Sequence, residues 1–83
     1  MTQIARTPRQ LGEVLRRYRT LAKLSQTQLA AKAGLRQATI SQIEGGHGAT
    51  RVETLCAVLA ALDVELTVAP RSKSSAKDIE DIF

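Results

Sequence analysis

The segment with the most suggestive chemistry is residues 34–46, GLRQATISQIEGG. Its uncharged polar side chains are amides and hydroxyls, from Gln37, Thr39, Ser41 and Gln42. Glutamine can pair with adenine through two hydrogen bonds, and a small residue such as Ala38 can touch the thymine methyl group while keeping a helix close to the bases. The segment therefore predicts a surface that reads bases, with hydroxyls that face a groove rather than act as nucleophiles.

Residues for catalysis or metal binding are scarce. The chain has one histidine, one cysteine and no paired carboxylates at ligand spacing, so we expect neither an enzyme nor a metal or cofactor site. The run Gly45-Gly46-His47-Gly48 follows a helical pattern and lacks the lysine of a phosphate loop, which favours a helix stop and a loop. Cys56 lies beside Leu55 in an apolar pattern and is predicted to be a buried small hydrophobe.

Charge divides the chain into two unlike parts. Residues 1–51 carry nine lysines and arginines against two acids, whereas residues 52–83 carry three against six. A basic half suits a polyanion such as DNA, although a solvated face is the plain alternative. Candidate phosphate contacts are Arg9, Arg16, Arg17, Lys23 and Arg51.

The length of 83 residues predicts one small domain with one modest core. No apolar run approaches the roughly 20 residues of a membrane span, and the beginning MTQIARTPRQ lacks the apolar core of a signal peptide. We therefore expect a cytoplasmic, nucleoid-associated protein with no membrane partner.

Helix start signals recur three times, at Thr7-Pro8, at Ser25…Gln28 and at Thr50…Glu53. Together with the apolar periodicity, they predict helices at about 8–23, 26–33 and 51–62, and another helix that ends at Gly45-Gly46. The first helix should bury a stripe of Leu11, Val14, Leu15, Tyr18 and Leu21; the last should bury Leu55, Val58, Leu59 and Leu62. Residues 64–68, VELTV, alternate with period two and predict a half-buried strand that Pro70 ends.

The second and third helices form a helix-turn-helix pattern. Their inward residues should be Leu29, Ala30, Ala33, Leu35, Ile40 and Ile43. Ala30 suits a close crossing of the helices, and Gly34 suits a left-handed turn residue. The outward face of the third helix is then Gln37, Ala38, Ser41 and Gln42.

The run SQTQLAAKAGLRQATISQIEGG resembles the helix-turn-helix of the xenobiotic-response-element (XRE) type, the class of lambdoid phage repressors and Cro. The resemblance implies that Gln26 contacts a phosphate and braces Gln37, and that Arg19 and Glu44 form an internal salt bridge. Many relatives have Ser or Thr where this chain has Arg36, so we interpret Arg36 as reading a base or phosphate instead of capping the helix. The predicted DNA-binding residues are Gln26, Arg36, Gln37, Ala38, Thr39, Ser41, Gln42 and Arg51.

The chain has the run QATIS, a fourth helix followed by LDVELTV, and a tail with a terminal aromatic residue. In these features it is similar to HipB-type antitoxins, which repress their own operon and bind a HipA-type serine/threonine kinase toxin. A lone strand has unpaired edges and is not stable alone. Pairing with its copy through Val64, Leu66 and Val68 would give a homodimer whose recognition helices lie about 34 Å apart. The tail ends in Ile79, Ile82 and Phe83, an apolar group predicted either to enter a toxin pocket or to be a frayed terminus.

These observations predict an all-α, four- to five-helix, lambda-repressor-like domain over residues 1–69, with a dimerising strand at about 64–69 and a flexible tail over 70–83. The predicted function is a sequence-specific repressor of a double-stranded DNA operator and the antitoxin of a HipA-like kinase. The alternatives are a free-standing regulator of the same type and a protein-interaction module that binds no DNA. The charge split and the two outward glutamines argue against the last.

Overall fold

The computed structural model describes residues 3–71, and all regular secondary structure in that range is helical. The four helices are α1 (Pro8–Leu21), α2 (Gln26–Ala33), α3 (Gln37–Glu44) and α4 (Val52–Ala61). Helices α1, α2 and α4 begin and end within two residues of their predicted bounds, and α3 ends just before Gly45, as predicted. The all-α helix-turn-helix prediction is confirmed.

Two of the three predicted helix starts have the expected caps. Thr7 Oγ1 accepts a hydrogen bond from the Gln10 amide at 3.1 Å, and Pro8 is the first helical residue. Ser25 and Gln28 form a reciprocal capping box, with bonds of 3.0 and 2.8 Å. The third prediction was wrong, because the Thr50 hydroxyl donates to the His47 carbonyl at 3.2 Å and leaves the start of α4 without a side-chain cap.

All four helices end in the same way. One or two residues after each helix, the backbone becomes left-handed, with φ of 62° at Lys23, 72° at Gly34, 91° at Gly46 and 58° at Asp63. Two amide N–H groups then bond back to carbonyls in the last turn, as Lys23 to Thr20 and Leu24 to Arg19 do after α1. These are Schellman motifs, which satisfy carbonyls that a helix end would otherwise leave unpaired. The predicted left-handed Gly34 is confirmed.

The core draws one fully buried side chain from each helix: Leu15, Leu29, Ile40 and Val58. Ala30, Ile43 and Leu59 complete its centre, and the half-buried Leu35 packs against them. Helix α3 packs against both α1 and α2, and α4 packs against α2. The helix-turn-helix residues predicted to face inward therefore lie in or against the core, and α3 is held on two sides.

Gly12 sets the distance between α1 and α3. It is buried, and a Cβ placed on it would overlap the carbonyl oxygens of Ile43 and Glu44, the latter at 2.7 Å. Backbone oxygens in a helix cannot move aside as a flexible side chain can. Only glycine therefore fits at this crossing.

Two predicted core positions were wrong. Leu21 is 67% exposed, since it lies at the edge of the α1 stripe and the left-handed turn at Lys23 brings Leu24 against the core instead. Cys56 is also exposed. It shares a helix face with Val52 and Ala60, both exposed, whereas the opposite face of α4 is the buried one.

The segment after α4 is not a strand in the described part of the chain. Val64 packs against the core and its amide closes the end of α4, but Leu66 is 58% exposed and Val68 is 96% exposed. The sequence alternates as a strand does, yet a strand requires a neighbour with which to exchange hydrogen bonds, and no other described residue bonds to the backbone amides of 65–69. The strand prediction is therefore not supported by the single chain.

Candidate nucleic-acid interface

Helix α3 has a buried face and an exposed polar face. Ile40 and Ile43 anchor it in the core at 1% and 5% exposure. The exposed residues are Gln37, Ala38, Ser41 and Gln42, and Thr39 is half-buried. Residues three or four positions apart lie on the same side of a helix, so the buried and the exposed residues occupy opposite sides of α3. The exposed side is the one that the sequence predicted.

A hydrogen-bond relay connects this face to the interior. Gln37 Nε2 donates to Gln26 Oε1 at 2.6 Å, and Gln26 Nε2 donates to Glu44 Oε1 at 3.1 Å. Glu44 in turn accepts from Arg19 Nε at 2.6 Å and from Arg19 Nη2 at 3.0 Å. The first residue of α2 thus braces the first residue of α3, as the resemblance implied.

The Arg19–Glu44 ion pair is the fixed end of the relay. Its side chains are 14% and 5% exposed, and Arg19 Nη1 also donates to the Leu24 carbonyl at 2.9 Å. The hydrogen bond to Glu44 raises the pKa of Arg19 above its ordinary value against the opposing effect of burial. Because a raised arginine pKa stabilises the fold at every pH below its ordinary value, this contribution is constant across the physiological range.

Arg36 and Arg51 occupy equivalent positions in the fold. Each is the residue just before a helix, α3 or α4, and neither side chain caps it. Both residues are exposed. Their guanidinium groups are therefore available to an external anion, in agreement with our interpretation that Arg36 does not act as a cap.

The structure brings some predicted residues together and not others. Gln26 and Gln37 are hydrogen-bonded, and Gln42 lies on the same exposed face of α3. The three apolar residues predicted for dimerisation, Val64, Leu66 and Val68, lie on the segment after α4. Ile79, Ile82 and Phe83, predicted to bind a toxin, lie outside the described residues.

The bond between Gln26 and Glu44 joins residues 18 positions apart and was not predicted from the sequence. Helical spacing relates neighbours three or four positions apart, whereas this contact depends on how α2 and α3 cross. The resemblance to the XRE family predicted the two contacts on either side of this bond, namely Gln26 with Gln37 and Arg19 with Glu44.

Within residues 3–71, the histidine, cysteine and acidic residues form no group of three that could hold a metal ion. None of the helices there is long and apolar enough to cross a membrane.

The chain is similar to known proteins over most of its length. A family model described as Helix-turn-helix, HTH_3, matches residues 15–68. The chain is 41% identical over 61 residues to the uncharacterized HTH-type transcriptional regulator y4dL of Sinorhizobium fredii; the match covers 74% of this chain but only 31% of that regulator. It is 30% identical over 74 residues to antitoxin HipB of Escherichia coli K12, with 89% of this chain and 84% of HipB covered.

Solved HipB structures have the same fold. A HipB–O4 20mer complex superposes with a TM-score of 0.76 at 31% identity, covering 82% of this chain and 96% of the other. The HipA–HipB–O2–O3 complex gives a TM-score of 0.75 with the same identity and coverage. The family match and these similarities show that the chain belongs to the HTH_3 helix-turn-helix family and is HipB-like within it.

Proposed function

We propose that this chain is a sequence-specific DNA-binding repressor and the antitoxin of a HipA-like serine/threonine kinase, acting on its own operator in the cytoplasmic nucleoid. The observation that carries the proposal is the braced polar face of α3. Two HipB relatives add support: one is solved as a complex with a 20mer and another with HipA. Catalysis has no part in this function.

The outer face of α3 is suited to a DNA major groove. Gln37 and Gln42 supply amides that can pair with adenine, and Ala38 is small enough to keep the helix axis near the base edges. Ser41 and Thr39 supply hydroxyls that can donate or accept. In this arrangement α3 is the recognition helix and α2 crosses the backbone.

Phosphate contacts come from the edges of this face. Gln26 begins α2 beside Gln37, and one of its amide hydrogens is not used in the relay. Arg36 and Arg51 present uncapped, exposed guanidinium groups at the starts of α3 and α4. Contacts of this kind fix the position of the protein on DNA without reading sequence.

The segment at about 64–69 is proposed to become a strand when two chains pair across a two-fold axis. The backbone amides of residues 65–69 have no hydrogen-bond partner among the described residues, and Leu66 and Val68 expose apolar surface. Pairing would give hydrogen-bond partners to the backbone groups along one edge of each segment and would cover those side chains. The resulting homodimer would place the two copies of α3 in successive major grooves.

The tail over residues 70–83 is proposed to contact the kinase. Its sequence ends with Ile79, Ile82 and Phe83 among three acidic residues. These apolar side chains can enter a pocket on the kinase, and the acidic residues beside them can meet basic residues around it.

A free-standing regulator is the second candidate, because one relative is named only as a transcriptional regulator. Both candidates use the same DNA-binding face. They differ in the neighbouring gene, since an adjacent reading frame for a HipA-like kinase would indicate the antitoxin.

The DNA-binding proposal is tested by comparing two kinds of variant on a selected operator duplex and on random DNA. Gln37→Ala and Gln42→Ala should each cost about 1–3 kcal/mol of binding free energy on the operator and little on random DNA. Arg51→Ala is the matched control. It should weaken binding to both DNAs and reduce the slope of log affinity against log salt concentration by roughly one unit. Equal losses on both DNAs for the glutamine variants would show that α3 does not read bases.

A further inference from the structure

The relay fixes the direction of two amides as well as their positions. A carboxylate can only accept hydrogen bonds, so the group that Gln26 turns toward Glu44 Oε1, at 3.1 Å, is its NH₂. The Gln26 oxygen is left to accept from Gln37 Nε2 at 2.6 Å. The direction of both amides therefore follows from the acceptor-only chemistry of Glu44.

Glu44 is well placed to impose this direction. Its side chain is only 5% exposed, and both of its oxygens accept from Arg19. Arg19 is itself held by the Leu24 carbonyl. The carboxylate therefore cannot turn away toward solvent, and its Oε1 stays directed at Gln26.

The relay leaves Gln37 with one amide hydrogen and its carbonyl oxygen, neither of which bonds to another described residue. Adenine presents one acceptor and one donor in the major groove, which match this pair of groups, whereas guanine presents two acceptors. We propose that Glu44, acting through Gln26, is a positioning residue that makes Gln37 select adenine over guanine. This inference rests on the proposed function and names the origin of its base preference.

The test begins with the full wild-type chain and a randomised double-stranded DNA library, from which the preferred duplex is selected. The base pair whose preference disappears in Gln37→Ala is the one that Gln37 reads. The dissociation constants for duplexes with adenine and guanine at that position are then compared by competition. A good bidentate pair corresponds to about a tenfold to hundredfold preference for adenine.

Glu44→Gln is the decisive variant. An amide at this position can donate as well as accept, so Gln26 can reverse and offer its NH₂ to Gln37, which then presents two hydrogens suited to guanine. The adenine preference should fall about tenfold or more, toward parity. Gln26→Met breaks the relay while leaving the ion pair intact, and it should lose the preference in the same way.

Arg19→Lys is the matched control. It weakens the same ion pair, because lysine lacks the forked donors of arginine, but it leaves a charged carboxylate facing Gln26. The adenine preference should therefore persist even if the fold is less stable. A purely structural role for Glu44 predicts instead that Arg19→Lys and Glu44→Gln change the preference alike.

The outcomes separate this inference from the function on which it rests. A wild-type chain that selects no sequence would overturn the proposed function and the relay with it. A selected sequence whose adenine preference survives in Glu44→Gln and Gln26→Met, or is lost equally in Arg19→Lys, would overturn the relay alone. Circular dichroism checks that each variant folds, and if Glu44→Gln does not, Gln26→Met decides.

Discussion

Single residues control the placement of the recognition helix from inside the fold. Gly12 allows the α1 backbone to approach α3, and the Arg19–Glu44 ion pair ties α1 to the end of α3. Neither feature lies on the exposed face of α3. The surface proposed to read bases is therefore positioned by buried residues that touch no DNA themselves.

Gly12→Ala should destabilise the protein. Alanine is favoured over glycine in a helix by up to about 1 kcal/mol, but the added methyl group overlaps two backbone oxygens, and overpacking of this kind costs about 1–3 kcal/mol. We expect the clash to dominate and the free energy of unfolding in urea to fall.

Gly48→Ala is the control for this prediction. A Cβ there would meet only Pro8 Cγ at 3.7 Å, an ordinary contact, so the free energy of unfolding should change by less than about 0.5 kcal/mol. A Gly12→Ala variant as stable as the wild type would mean that α1 and α3 are not so closely packed.

The four helices share one way of ending but use different residues for it. Gly34 and Gly46 take the left-handed backbone without a steric penalty, whereas Lys23 and Asp63 take it with one. The common motif turns the chain sharply after each helix and brings Leu24, Leu35 or Val64 against the core. Packing of the following residue offsets the backbone strain.

Lys23→Gly should stabilise the protein by about 1 kcal/mol, since glycine removes the left-handed penalty at an exposed position. The opposite change, Gly34→Ala, should destabilise by a similar amount, and the cause is the backbone alone because no atom lies within 4 Å of the added Cβ. Thermal or urea unfolding measures both. A loss of stability in Lys23→Gly would show that the lysine side chain contributes more than the strain costs.

Features set by local chemistry could be predicted from the sequence, and features set by distant contacts could not. The caps at Thr7 and Ser25 and the turn at Gly34 follow from neighbouring residues. The left-handed Lys23 gives no such signal, because lysine has no preference for that backbone. Leu66 and Val68 alternate as in a strand, but residues 3–71 supply no partner strand for them.

The candidate site also combines features that could be predicted from local sequence with features that depend on distant contacts. Residue type and helical spacing were enough to predict which side of α3 is exposed, and the structure confirms it. The link from Gln26 to Glu44 depends on the crossing of α2 and α3 and has no local signature. Cys56 was misplaced because one apolar neighbour does not determine the face of a helix on which a residue lies.

The molecule as a whole has a basic part that carries the helix-turn-helix and an acidic part that follows it. In the described structure, the exposed large apolar residues are Ile4, Leu21, Val52, Leu66 and Val68. Pairing of two copies through the proposed strand would cover Leu66 and Val68 and would give the operator two recognition helices.

Leu66→Pro should produce a monomer that binds the operator weakly. Proline removes a backbone donor and is incompatible with the middle of a paired strand. Sedimentation measures the oligomeric state. Leu21→Ala is the control, since Leu21 is similarly exposed, at 67%, but lies on α1, and its loss should leave the dimer intact. An unchanged dimer in Leu66→Pro would move the interface elsewhere, most simply to α4.

Deletion of residues 78–83 should leave dimerisation and operator affinity intact and weaken binding to the kinase, since the deleted residues carry the apolar side chains and acidic groups proposed to bind it. Calorimetry with purified kinase measures the change. Unchanged affinity after the deletion would assign kinase binding to the body of the dimer.

The most direct test of the account is the affinity of the full chain for a selected operator duplex relative to a shuffled duplex of the same composition, both measured near physiological salt. Sequence-specific reading by α3 predicts that the operator binds at least about 10³-fold more tightly. Equal affinities, each falling steeply with salt, would show that the basic half only attracts phosphate and would contradict base recognition.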